Sequence, residues 1–524
     1  MQTRPLIHGL LLAASLLPGM QAVAGPIVSF NKVWSANHGS TGLNTGVTSE
    51  IAAFDAASNT IWVAGVVGVD VLNASNGSLV QHIDTTAFGS VNSVAIKNGV
   101  AAFAIESSTR SDPGSVRFYD TATRANTGSV AVGALPDMLT FTPDGSRLLV
   151  ANEGTPNVVF DASGDVVSST YGTRIGNTVP RVFGPGSVDP AGSVSIIDMT
   201  TRAVVATPGF AGVPLNGDNI RTNTGMDFEP EYIAVSADGK KAFVGLQEAN
   251  AMAVLNLDSN TFEKVVGLGA KDFSLGGNSI DPKDNDATVS FINVAAKGLY
   301  MPDGMAAYQA GGNTFVVMAN EGDFREDNGD RSAANGLGAV APLDRLRISN
   351  TDSSPGDLFA AGARSFSIRN ADGVLVYDSG DILDKAAFAA GIYDDGRSRD
   401  KGVEPEGVAL IEIGGRTLAF IGLERTLESA IAIFDITDPR NVSYLDLIVG
   451  GDGDGVLETG EDLSPEGLLA YSFGGQHYLA VAHEVSNTTT LYRLAAVPEP
   501  ATYALLGLGL AGLAFTRQRK FIQN

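Results

Sequence analysis

Apolar residues along this chain alternate with polar ones over short runs, and turns rich in Gly, Asn or Asp join the runs in pairs. Residues 51–54 and 60–64 flank one turn. Residues 94–96 and 100–105 flank Lys97-Asn98-Gly99, and 138–141 and 148–151 flank Pro143-Asp144-Gly145. The pattern returns around Asp238-Gly239, Gly414-Gly415 and Gly474-Gly475. Period-two alternation predicts strands buried on one face, and a Gly-containing pair between two of them predicts a hairpin. A third run follows at 69–72, 115–119, 193–197, 251–257, 431–435 and 489–494.

Two acidic marks frame these units. Glu404-Pro405-Glu406-Gly407-Val408 is the clearest opening. Pro136-Asp137, Pro230-Glu231, Pro302-Asp303 and Pro465-Glu466 match it, and Glu50 and Asn92 hold the same place in the first two units. Each second run ends on small residues and then an acid: Glu106, Glu153, Glu248, Glu321, Glu424 and Glu484, 14 to 18 residues after the opening position. The first unit ends in Val63-Ala64-Gly65 and lacks this second acid. Seven imperfect copies of a short-strand unit predict an all-β fold, a seven-bladed β-propeller. Spacing beyond about 40–45 residues per blade is insertion, and it falls at 155–192, 267–294 and 323–364. The segment 27–34 is expected to pair with 489–494 and leave no open edge.

Charge narrows the partners. The net charge of −24, from 58 acids against 34 Lys and Arg, excludes nucleic acid, which needs cationic side chains. With no cysteine, disulfides and thiolate metal sites are excluded as well.

Both ends read as targeting segments. Arg4, the apolar stretch 6–17 and Ala22-Val23-Ala24 predict a secretory signal peptide over residues 1–24. Val497-Pro498-Glu499-Pro500 precedes an apolar stretch, 501–516, and then Arg517, Arg519 and Lys520. That order predicts a C-terminal transmembrane helix with a positive-inside flank. It resembles the PEP-CTERM sorting signal. The resemblance implies an exosortase-type sorting enzyme as partner and delivery to the envelope, surface or extracellular matrix of a Gram-negative bacterium. The propeller then occupies 25–495 and the sorting segment 496–524.

In a propeller the innermost strands line the central channel. Acids just before those strands would ring its mouth, and the closing acids would lie at the same face. The expected metal ligands are Glu50, Asp137, Glu231, Asp303, Glu321, Glu406, Glu424, Glu466 and Glu484. Carboxylates this close require protonation, pairing with Arg325, Arg425 or Lys401, or bound cations. Hard oxygen ligands favour Ca²⁺ or Mg²⁺. Asp452, Asp454 and Glu461 fall on positions of a twelve-residue calcium loop, with Gly450 where the first Asp would stand. The sets Asp281, Asp284, Asp286 and Asp323, Asp327, Asp330 are similar. His483, beside Glu484, is expected to face the opening, whereas His38, His82 and His477 fall in turns or outer strands.

Two functions fit. One is a binding or scaffold protein for a glycan, protein or phosphate ester. The other is a Ca²⁺-dependent phosphoesterase, alkaline phosphatase- or phytase-like, in which Glu406 and Glu321 hold ions and Arg325 and Arg425 clamp phosphate. No nucleophile elbow, phosphate-binding Gly-Lys-Ser/Thr loop or His-Glu-x-x-His is present.

The stretches 317–325 (Val-Met-Ala-Asn-Glu-Gly-Asp-Phe-Arg), 400–408 (Asp-Lys-Gly-Val-Glu-Pro-Glu-Gly-Val), Gly422-Leu423-Glu424-Arg425 and 463–468 (Leu-Ser-Pro-Glu-Gly-Leu) together resemble the choice-of-anchor I family. The resemblance covers about 30–494. It implies a surface β-propeller of YVTN type and leaves the activity open.

Overall fold

In the computed structural model, the described residues are 28–41, 49–156, 169–171, 181–183, 188–222, 228–284, 288–324, 330–456, 458 and 461–496. The predicted signal peptide, the stretch 501–516 predicted to form a transmembrane helix, Arg325, Asp286 and Asp327 lie outside them.

Among the described residues, seven sheets of four or five strands follow one another along the chain. Their first strands are Ala52–Asp55, Val91–Lys97, Pro136–Phe141, Ile233–Val235, Met305–Ala310, Pro405–Ile413 and Pro465–Phe473. Each first strand packs on the first strand of the next sheet, and Pro465–Phe473 packs on Ala52–Asp55, so the cycle returns to its start. The strand Val28–Asn37 adds to the seventh sheet beside Thr488–Ala496, as the sequence predicts. That join ties the two ends of the cycle together without an open edge between them.

The second strands explain why the sheets stack. Thr60–Gly65 is buried along its whole length. Ile61 and Val63 pack toward the seventh sheet, while Trp62 and Ala64 pack toward the second. Leu148 and Val150 likewise face the second sheet, and Leu149 and Ala151 the fourth. A strand apolar on both faces must be covered on both, and a cycle of sheets covers every one.

Hairpin turns follow the sequence expectation. Asn98 and Gly99 both take positive φ, 52° and 78°, as a two-residue turn between twisted strands requires. The insertions depart from it. They carry their own structure: a ribbon of Ser169–Tyr171 with Arg181–Phe183, a ribbon of Arg331–Ala333 with Arg347–Ser349, and a three-stranded sheet of Ala270–Asp272, Lys297–Leu299 and Phe359–Ala360. Phe273, Ile280, Leu346, Ile348 and Leu358 give the last two insertions a shared apolar cluster. Their apolar residues lack a regular period because strands of two or three residues are too short to show one. An α-helix, Ile382–Ala389, and a parallel fifth strand, Leu215–Asp218 on Thr261–Leu268, add to the predicted sheets.

Candidate metal centre

A repeated backbone device places the opening acids. Leu135, Met301, Glu404 and Ser464 each hold a left-handed φ, between 44° and 57°. Each is followed by proline and then by Asp137, Asp303, Glu406 or Glu466. Register shifts follow between Pro136 and Leu139, Pro405 and Val408, and Pro465 and Leu468. Asp137, Glu406 and Glu466 therefore sit in bulges, and a bulge re-aims a side chain that regular pairing would fix; Asp303 lies two residues before its strand. A similar shift between Val91 and Ser93 frees Asn92.

The same left-handed residue holds the closing acid. The backbone N–H of Glu153 donates to Leu135 O at 2.9 Å, that of Glu424 to Glu404 O at 2.9 Å, and that of Glu484 to Ser464 O at 2.9 Å. In the fifth sheet Gly322, next to Glu321, donates to Met301 O at 3.0 Å. In the third, sixth and seventh sheets one kink thus fixes two acids at one face, and in the fifth it fixes Asp303 and the residue after Glu321.

Glycine then brings neighbouring kinks together. A Cβ on Gly304 would strike Glu406 O, one on Gly407 would strike Glu466 O, and one on Gly467 would strike Glu50 O. Any side chain there would push successive sheets apart.

All seven opening residues line one cavity of about 390 Å³: Glu50, Asn92, Asp137, Glu231, Asp303, Glu406 and Glu466. Glu106, Arg110, Glu153 and Gln247 join them. Ligand oxygens lie within 4.8 Å of one another in three groups here: Glu153–Glu231–Glu248, Asp303–Glu321–Glu406 and Glu321–Glu404–Glu424.

The electrostatics follow from that crowding. Burial, with Glu153 beside it, pushes Asp137 up to about 8, against the pull of Arg110. Burial and Glu248 hold Glu231 well above the usual carboxylate range, and burial and Glu321 do the same to Asp303. Glu406 is raised by burial and by Glu424 and Glu466. Glu466 is raised by burial and by Glu50 and Glu484. Glu424 is raised by burial and Glu321, with Arg425 opposing. One buried oxygen each of Glu231, Glu406 and Glu466 makes no hydrogen bond.

One flank differs. Lys401 Nζ lies 2.7 Å from Glu321 and 2.8 Å from Glu404. Gln247 Nε2 donates to the other Glu321 oxygen at 2.8 Å, and Arg397 Nε donates to Glu404 at 2.6 Å. Arg425 pairs with Glu424 at 2.6 Å.

The sequence thus locates the ring but misses part of it. Glu404 belongs to a carboxylate group although its place before proline suggests only a backbone role. Glu248 joins through its hairpin position, and Glu484 lies near enough to Glu466 to raise it. His483 does not face the opening. It is fully buried, with Nε2 2.9 Å from Ser429 Oγ, and burial lowers it to about 4. The alternation of its strand turns it inward while Glu484 leaves the strand. His38 and His82 flank buried Asp70 at 2.8 and 2.7 Å.

The predicted calcium loop is only partly assembled. Asp452 and Glu461 meet Glu428, not Asp454, within 4.8 Å. Asp454 instead accepts from Val456 N at 2.8 Å. Glu428 is fully buried and accepts from Gly453 and Gly455 N–H groups. It stands two residues before the strand Ala430–Asp435, outside the loop pattern. Asp281 and Asp284 do not act together: Asp284 is clamped by Arg345 at 2.6 Å, and Asp281 accepts from Ser290 N at 3.2 Å. Asp330 is buried and Asp323 approaches Lys401 at 3.5 Å.

The choice-of-anchor I domain model matches residues 50–439. The chain belongs to the choice-of-anchor I family. The PEP-CTERM protein-sorting motif matches residues 496–520. Domain and motif together mark an exported cell-surface protein of Gram-negative bacteria, processed by an exosortase-type sorting enzyme. Among the described residues no helix is long and apolar enough to cross a membrane. No curated protein matches the chain. Among solved structures, hydrazine synthase of Kuenenia stuttgartiensis is similar at 13% identity and TM-score 0.46, covering 87% of this chain and 98% of that one.

Proposed function

We propose that the seven sheets are blades of a YVTN-type propeller, and that this family member is a surface binding or scaffold protein whose central mouth takes divalent cations, Ca²⁺ before Mg²⁺. The observation that carries this is the convergence of all seven opening residues on one cavity with unpaired buried carboxylate oxygens at Glu231, Glu406 and Glu466. Carboxylates held above their usual range by burial and by each other are ligands waiting for positive charge. Ca²⁺ takes six to eight oxygens at about 2.3–2.6 Å in flexible geometry, which a ring drawn from several blades supplies more readily than the strict octahedron of Mg²⁺.

Equilibrium dialysis of chelator-stripped protein against ⁴⁵Ca²⁺ tests this reading. Saturable binding that Glu231→Gln weakens at least tenfold is expected, and absence of binding at millimolar Ca²⁺ overturns it. The same samples receive a generic phosphomonoester. Calcium-dependent phosphate release abolished by Glu406→Gln or Arg425→Ala would replace the scaffold role with phosphoester hydrolysis.

A further inference from the structure

The three carboxylate groups at the mouth are not equivalent. Among Glu321, Glu404 and Glu424 a positive charge is already built in. Lys401 is buried, with only 4% of its surface exposed. Its ammonium reaches Glu321 at 2.7 Å, Glu404 at 2.8 Å and Asp323 at 3.5 Å. An ammonium carries three donors and no acceptor, so these three carboxylates use its whole capacity. Arg397 and Arg425 add charge-assisted partners for Glu404 and Glu424. Gly402, at φ 68°, turns the chain so that Lys401 and Glu404 converge on Glu321.

The other two groups contain an oxygen that nothing satisfies. Glu231 Oε2, in the group with Glu153 and Glu248, and Glu406 Oε2, in the group with Asp303 and Glu321, are buried without a hydrogen bond. Both residues line the cavity. A metal needs lone pairs that are not already committed to N–H donors. Glu321 gives one oxygen to Lys401 and the other to Gln247, so its group with Asp303 and Glu406 opens toward Glu406.

We infer that the Lys401 ammonium is a resident cation that takes the place of a metal among Glu321, Glu404 and Glu424, and so confines divalent cations to the carboxylates around Glu231 and Glu406. This rests on the reading of the mouth as a cation site. Lys401 sets how many ions the mouth holds, because it neutralises one flank permanently and leaves the other to be filled from solution.

The test compares ⁴⁵Ca²⁺ stoichiometry of the full chain with Lys401→Met and Lys401→Arg. Lys401→Met, which keeps the stem and removes the charge, is expected to bind one ion more per chain than wild type. Its melting temperature should drop in chelator and recover in Ca²⁺ by more than the wild-type gain. Lys401→Arg should keep the wild-type stoichiometry. Equal or lower stoichiometry in Lys401→Met overturns the inference while leaving the cation site intact. If Lys401→Met folds in neither chelator nor Ca²⁺, the inference is also overturned, since metal then fails to replace the ammonium. Wild type binding no ion while Lys401→Met binds one would instead sink the reading of the native mouth and support the role of Lys401.

Discussion

Asp137→Asn offers a test of the mouth that needs no ligand. Asp137 lies in the cavity, raised by burial and by Glu153 from 3.8 to about 8. In the native state it keeps its proton up to about pH 8, whereas in the unfolded chain it loses that proton near pH 4. Between those limits the native state binds more protons, so stability falls as pH rises. At about 1.4 kcal/mol per pH unit the full span corresponds to roughly 6 kcal/mol. The cavity admits water and the neighbouring acids share protons, which reduces the accessible effect to about 2–3 kcal/mol. Asparagine keeps the shape and cannot ionise. In chelator, the variant should match wild type near pH 4 and gain on it steadily up to pH 8. Urea unfolding at pH 5, 6.5 and 8 reads the difference directly. Saturating Ca²⁺ should shrink it, because ionised acids then meet a positive charge. A difference that stays constant with pH would refute the argument that burial and crowding govern these acids.

Other predictions concern the scaffold. Gly467→Ala forces a Cβ against Glu50 O where the seventh sheet meets the first; it should cost about 1–3 kcal/mol in urea, while Gly276→Ala, with open space around it, should be near neutral. Asp462 accepts from Lys32, Ser35, Thr488 and Thr490; Asp462→Ala takes the acceptor from the buried threonine hydroxyls, so it should cost about 1–3 kcal/mol and speed proteolysis of the strand Val28–Asn37. His483, lowered to about 4 from 6.5, binds its proton in the unfolded chain first, so it removes up to roughly 3 kcal/mol as pH falls from 6.5 to 4; NMR should show no titration of its ring above pH 5. Trp62→Ala, at a fully buried site between the first and second sheets, should cost about 3–5 kcal/mol.

The ring was legible because the device that builds it is written locally. Proline followed by an acid and then a strand recurs, and the left-handed residue before it reveals itself only through that spacing. The all-β class and the hairpins followed from turns that demand Gly or Asn. What stayed hidden depends on contacts between segments distant in sequence. The sequence offers Lys401 as a partner of the acids, but its capture by Glu321, 80 residues away, is set by how the fifth and sixth sheets stack. Glu428 gave no signal because its partners come from the loop after the next strand pair. His483 departs from its expected place because one residue along a strand reverses the face, and Glu484 beside it lies past the strand end.

The central claim is that cations complete the mouth. Its most direct measurement is thermal unfolding of the chain at pH 7.5 in Ca²⁺ and in chelator. At a hundredfold excess over its dissociation constant, one bound ion adds about 2.7 kcal/mol. The account predicts a clear upward shift with Ca²⁺ that Glu231→Gln diminishes. An identical transition in Ca²⁺ and chelator would contradict it and leave the carboxylates neutralised by protons and by Lys401, Arg397, Arg425 and Arg110.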